Sequence, residues 1–405
     1  MQLTLLGVGP EQEMYPTGSD VRSASGGGGR SAPAPSGTFE PTDAGCLRRY
    51  GKRPDLIVHE REPFNAETGL AALDEGPLTA TDAFYVRGHG PVPKYDRDAL
   101  RLRVHGLVER ELELSLPTLR EAFRERRVTA TLQCAGHRRA GLLAIRDIPG
   151  EAPWGPGATG TATWTGVALA DVLALANPLR DAMHVGFEGA DLCSQAQPPE
   201  RFGGSIPLDK AYRPEVLLAW GMNGEPLPLV HGGPLRVVVP GYIGARSVKW
   251  LERIEVRSAP WRGYFQHVAY RLLPADATPG PGLGMPLGLI ALNADVLSPT
   301  DGETIPAGPV ELRGYAFAGG ERYVARVDVS VDGGTDWHQA DFLEDLGQWA
   351  WRHWRATLAL APGDHEIAVR AWDSSAATQP EDEAALWNPK GYVNNARPRV
   401  RVRAV

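Results

Sequence analysis

The chain has 405 residues, 42% of them hydrophobic and 22% charged, with a net charge of −7. That length suggests two domains, and the composition is that of a globular protein rather than a disordered or fibrous one. No dense Lys/Arg stripe occurs, which argues against a general nucleic-acid binder. The three scattered cysteines, Cys46, Cys134 and Cys193, exclude a disulfide framework and a paired-cysteine zinc site. No run approaches about 18 apolar residues, so no membrane-spanning helix is expected.

The start, MQLTLLGVGPEQEM, lacks a charged segment ahead of a long apolar run, and no twin-arginine pair precedes one. As written, the chain reads as cytoplasmic; a leader ahead of this start would make it periplasmic. Residues 16–45 are dominated by Gly, Ser, Pro and Ala, with little apolar surface to offset the entropy of ordering. Residues 1–50 are therefore expected to be a flexible, low-complexity tail.

From 51 to 272 strand and helix signals mix. Leu116-Pro117-Thr118 ahead of LREAFRER predicts a short helix with Pro in its first turn. Val128, Ala130 and Leu132 alternate with Thr129, Thr131 and Gln133, a strand pattern ending at Cys134. Residues 166–176, GVALADVLALA, have helical spacing and stop at Asn177-Pro178. VLLAW, a turn at Asn223-Gly224, LRVVVPG and VKWLERIEV supply further strands. Strands and helices do not alternate regularly, so a mixed α+β domain fits better than a parallel doubly wound sheet.

After Pro274 the Pro/Gly-rich segment ADATPGPGLGMP reads as a boundary. Between 285 and 405 short alternating strands recur, VELRGYAF, ARVDVSVD, WRHWRATLAL, HEIAVRAWD and RPRVRVRAV, separated by turn clusters such as Asp332-Gly333-Gly334. Such punctuation predicts an immunoglobulin-like antiparallel β-sandwich. Six of the eleven tryptophans fall here and are expected mostly in core or interface.

The chemistry concentrates at Thr131-Leu132-Gln133-Cys134-Ala135-Gly136-His137-Arg138-Arg139. A cysteine at a strand end, followed by a small pair and then cations, suits a thiolate nucleophile or a soft-metal ligand. A buried, inert cysteine is the competing reading, and on the residues alone the two stand about even.

TLQCAGHRR resembles the cysteine motif of the sulfite oxidase family, in which Asn usually stands where His137 does. The similarity continues in order through FYVRGHGPVP at 84–93, FEGAD at 187–191, GGSIPL, MNGEPLP at 222–228, His231-Gly232, PLRVVVPG at 234–241 and GARSVKWL at 244–251. It extends into the sandwich through RVDVSVDGG, WRHW and LWNPKGYVNNA, covering about residues 55–405. The resemblance implies a molybdopterin-binding catalytic domain at 51–272 and a dimerisation sandwich at 285–405, with the molybdenum–molybdopterin cofactor and no haem in this chain.

By the same resemblance Cys134 is the metal ligand. His89, Asp191, His231, Arg236, Ser247, Val248 and Lys249 would hold the pterin and its phosphate. Arg87, Arg139, Trp154, Tyr270 and Lys390 would form the substrate pocket. Arg and Lys suit anions independently of any family, Arg as a bidentate fork and Lys as a compact charge. Lys390 departs from the family, which carries arginine there, and His137 is the second departure. The implied reaction is oxidation of sulfite to sulfate in a homodimer, with electrons passed to dioxygen or to a separate carrier such as a cytochrome. A reductase of nitrate or a sulfoxide on the same scaffold is the alternative, and a cofactor-free binding protein the remaining one. No nucleic acid and no membrane span is expected.

Overall fold

Local signals in the sequence set the frame of the catalytic part. Ser115 caps the helix Leu116–Ala122 by accepting from Thr118 N at 3.2 Å. The alternating residues before Cys134 form the strand Glu125–Gln133, which pairs antiparallel with Thr159–Ala168 over its whole length. The computed structural model describes residues 43–96 and 99–405, and these belong to one compact unit.

Two five-stranded sheets build the catalytic part. The first runs Glu225–Pro226, Leu217–Met222, Thr159–Ala168, Glu125–Gln133, with Arg236–Val238 paired to Leu217–Met222; every pairing is antiparallel. The second runs Leu112–Leu114, Leu102–Gly106, Leu251–Arg257, His184–Cys193, Glu200–Pro207, and its one parallel pair is Leu251–Arg257 with Leu102–Gly106. One antiparallel and one mixed sheet with short helices are the α+β architecture expected.

Two local expectations change. Gly166–Ala168 belong to the strand Thr159–Ala168, and the helix starts only at Leu169. Strand pairing overrides helical spacing there, because Gly166, Val167 and Ala168 pair with Ala219, Leu218 and Leu217. The tail expected over 1–50 falls mostly outside the described residues, but Asp43–Arg49 is a helix. It is held by Cys46 and Leu47, which pack with Leu56, Phe64, Ala66 and Val230.

Beyond the linker the predicted strands appear as Gly308–Phe317, Val324–Ser330, Arg352–Leu360, Gly363–Asp373 and Arg399–Ala404. Asn293–Ser298, Gly308–Phe317, Arg352–Leu360 and Asp341–Phe342 form one sheet of the sandwich. Thr304–Ile305, Arg399–Ala404, Gly363–Asp373, Val324–Ser330 and His338–Gln339 form the other. Trp354 lies in the core between them. Trp351 packs instead with the catalytic core and donates its Nε1–H to Pro77 O at 2.8 Å. Among the described residues no helix is long and apolar enough to cross a membrane.

Candidate active site

The strand Glu125–Gln133 ends by delivering Cys134 to a cavity. The Cys134 amide donates to Ala158 O at 2.9 Å, and its Sγ accepts from Gly136 N at 3.4 Å. Cys134 alone of the three cysteines lines the cavity, and it is 7% exposed.

The loop after it is gripped by the C-terminal sandwich. Val393 N donates to Ala135 O at 3.0 Å, and Asn394 Nδ2 to Arg138 O at 2.8 Å. Arg138, in the left-handed region at φ 60°, reaches Ala396 O at 2.6 Å and Asp295 at 3.4 Å. His137 is buried with Nε2 3.1 Å from the Tyr315 hydroxyl, which also lies 3.0 Å from Pro156 O. The residue that departs from the family motif therefore faces the sandwich.

One end of the cavity is cationic. Arg236, at the start of Arg236–Val238, is buried rather than solvent-facing; it donates to His231 O at 2.8 Å and Ser247 O at 2.9 Å and lies over the Trp164 ring. Ser247 Oγ accepts from Val239 N at 3.0 Å. Lys249 donates to Val230 O at 3.3 Å, and its burial pulls its pKa down to about 7. His231 is held well below the usual histidine range by burial and by the neighbouring lysines and Arg236. Asp191 is the one acidic group lining the cavity, raised by burial to about 6, and its Oδ1 has no partner. Val248 lies beneath the wall, its carbonyl accepting from Val237 N at 2.9 Å.

Arg87, His89 and Tyr270 line the same cavity. His89 Nδ1 lies 2.6 Å from Gln195 Oε1 and Nε2 lies 2.7 Å from the Tyr270 hydroxyl. Burial holds this imidazole neutral, and the Arg87 guanidinium also approaches its Nδ1, at 3.3 Å. Arg87 donates to Asn65 Oδ1 at 3.2 Å and to Gly88 O.

Three predicted pocket residues do not line the cavity. Trp154 is fully buried with Cys134 in one apolar cluster, its ring edge-on to His59 at 4.7 Å and its Nε1 unpartnered. Arg139 lies 5.2 Å over the Tyr392 ring, which stacks on Tyr270. It passes so close to Gly136 that a Cβ there would meet its guanidinium at 2.5 Å. Both Arg139 and Lys390 are engaged by Glu151.

Sequence reasoning overlooked Lys52, Tyr85 and Glu151. Lys52 donates to Thr81 O at 2.7 Å, Phe84 O at 2.9 Å and His231 Nε2 at 2.5 Å, and burial lowers it to about 7. The rarity of lysine, five in the chain, was the available signal. Tyr85 lines the cavity, its hydroxyl raised by burial.

The arrangement fits an anionic pterin with a metal beside Cys134. Buried cations lose their water, and burial is the largest cause of the lowered pKa of Lys52, Arg236 and Lys249, so an anionic group such as a phosphate would be stabilised beside them. The unpartnered Asp191 Oδ1 offers an acceptor to a ring N–H. Among the described residues no cluster of three or more His, Cys, Asp or Glu side chains could hold a metal. A single thiolate therefore suits a metal whose other donors arrive with the cofactor.

This is the pocket of a molybdopterin-dependent oxidoreductase. The model of the oxidoreductase molybdopterin binding domain matches residues 89–265, and that of the Mo-co oxidoreductase dimerisation domain residues 289–405. The chain is 40% identical over 369 residues to sulfite oxidase of Gallus gallus, covering 85% of this chain and 77% of that one. It is also 40% identical over 369 residues to the mitochondrial sulfite oxidase of Rattus norvegicus, spanning 87% of this chain and 66% of the relative. The fold is similar to the sulfane dehydrogenase SoxCD of Paracoccus pantotrophus, with a TM-score of 0.75 and 26% identity over 88% of this chain and 89% of that one. The chain belongs to the sulfite oxidase family, and its cofactor is the molybdenum–molybdopterin group.

Proposed function

We propose that the chain oxidises sulfite to sulfate as a homodimer. One observation carries the reading: Cys134, Arg87 and the Tyr270–His89 pair line a single cavity together with His231, Arg236 and Lys249. The bound molybdenum group supplies the two-electron, oxygen-atom-transfer chemistry. Cys134 holds it as a thiolate and does not act as a nucleophile. His231, Arg236 and Lys249, with Lys52 behind His231, secure the phosphate, and Asp191 the ring.

Arg87 attracts the oxyanion by charge-assisted hydrogen bonds in a site removed from water. Conversion of sulfite and water to sulfate releases two electrons and two protons. The hydrogen bond between the Tyr270 hydroxyl and His89 Nε2 fixes the orientation of that hydroxyl towards water or substrate. Neutral His89 keeps that orientation without adding charge. The electrons pass to dioxygen or to a separate carrier such as a cytochrome.

The test is metal analysis together with sulfite assays using ferricyanide and dioxygen. One molybdenum per chain and sulfite-dependent turnover are expected, both lost in Cys134→Ala because a metal donor is deleted. Nitrate or sulfoxide reduction without sulfite oxidation would move the assignment to another substrate.

A further inference from the structure

Glu151 sits between the two cations that do not reach the cavity. Its Oε2 is 3.2 Å from the Arg139 guanidinium, and its Oε1 accepts from the Lys390 ammonium. The Glu151 side chain is 12% exposed, Lys390 20% and Arg139 2%, so the triad lies where solvent just reaches it. One carboxylate thus presents an oxygen to each of two cations, as two oxygens of a sulfur oxyanion would.

Backbone carbonyls hold the arginine in place without this carboxylate. Arg139 Nε lies 3.1 Å from Lys390 O and 3.2 Å from Gly391 O, and its NH1 donates to Ala152 O at 3.0 Å. The triad also communicates with the cavity. Arg139 stacks on Tyr392, Tyr392 on Tyr270, and the charges of Glu151 and Arg139 are both felt at the Tyr270 hydroxyl.

From this geometry we infer that Glu151 is a specificity-determining residue, an internal anion that competes with the substrate oxyanion for Arg139 and Lys390. The inference rests on the sulfite-oxidising reading of the site. The carboxylate reduces the charge of the triad from two positive to one, which weakens capture of any dianion and speeds its departure. An anion that enters displaces Glu151 from one cation or both; when it leaves, the carboxylate returns. Sulfate, doubly charged and without further use to the enzyme, is the ligand this arrangement most disfavours.

The test is calorimetric titration of the holoenzyme with sulfate, which does not react, alongside steady-state assays with sulfite. Glu151→Gln, which keeps the shape and removes the charge, is expected to bind sulfate at least about tenfold tighter and to lower KM for sulfite in parallel. Glu151→Ala should behave likewise, whereas Glu151→Asp should restore weak sulfate binding. A residue that only braced Arg139 would give the opposite result, weaker sulfate binding and a higher KM. Unchanged or weaker sulfate affinity in both Gln and Ala variants overturns the inference. Absence of sulfite turnover in the unaltered holoenzyme would overturn the proposed reaction instead, while the sulfate titration would still decide the role of Glu151.

Discussion

The two cationic regions of this site solve the same electrostatic problem in opposite ways. At the pterin end, Lys52, Arg236 and Lys249 are buried with depressed pKa values. Outside the cavity lining, Arg139 and Lys390 share a carboxylate of the chain's own. A resident cofactor stays bound, so its pocket is best left short of negative charge until the cofactor supplies it. A substrate must come and go, and a built-in counter-ion makes exchange reversible. The difference teaches that burial alone does not define an anion site; the supply of counter-charge does.

The comparison is most severely tested by removing charge from the pterin end. Lys249→Met should stabilise the cofactor-free protein, because the desolvation of the Lys249 ammonium outweighs its attraction to Asp191 and the cation is replaced by an apolar side chain. The same variant should lose molybdenum. Melting of the cofactor-free protein and metal content decide the matter, and a destabilised variant that keeps its metal would break the contrast.

The titration of these lysines gives the next test. Lys52 and Lys249 sit at about 7 in the folded chain, against about 10.4 for an unfolded lysine. Between those values the unfolded chain binds more protons, so stability rises with pH. The contribution is complete above the unfolded value and is lost as pH falls to about 7. Denaturant melts of cofactor-free protein from pH 7 to 10 should show this rise, and bound cofactor should flatten it by keeping the lysines charged.

Arg87→Gln sharpens the substrate side. It should lower kcat/KM for sulfite roughly 10- to 150-fold, the equivalent of about 1.5–3 kcal/mol, while molybdenum content is retained. Equal loss of metal and activity would assign Arg87 to the cofactor. The smallest effect belongs to Tyr315→Phe, which removes the hydroxyl shared by His137 and Pro156 O. A loss of about 0.5–1.5 kcal/mol in stability is expected by denaturant unfolding, with the pterin pocket unaltered.

Much of this was legible in the residues. Alternation carries the strand into Cys134 and the sandwich strands, because a period of two survives in sequence wherever one face is buried. The ordered motifs brought Cys134, Arg87, His89, Asp191, His231, Arg236, Ser247 and Lys249 to one cavity, which Tyr270, placed by counting forward from Lys249, also lines. Lys52 was hidden because it follows a low-complexity stretch and acts on a histidine 179 positions away. Glu151 was hidden similarly: Pro149-Gly150 and Ala152-Pro153 mark a loop around it, while one of its partners lies 239 residues further on. No local pattern encodes a contact of that range. Gly166–Ala168 were misread because helical spacing and a buried strand look alike over three residues.

The grip of the sandwich on the cysteine loop also sets an order of events during synthesis. Arg138 and the carbonyl of Ala396 are separated by 258 residues, and Val393 and Asn394 complete the same support. When Cys134 leaves the ribosome, the backbone that will brace its loop has not been made. Almost the entire chain must emerge before that loop acquires its final hydrogen bonds. A nascent chain, or one cut short before residue 393, presents Cys134 on a loop that lacks the backbone contacts of Val393, Asn394 and Ala396.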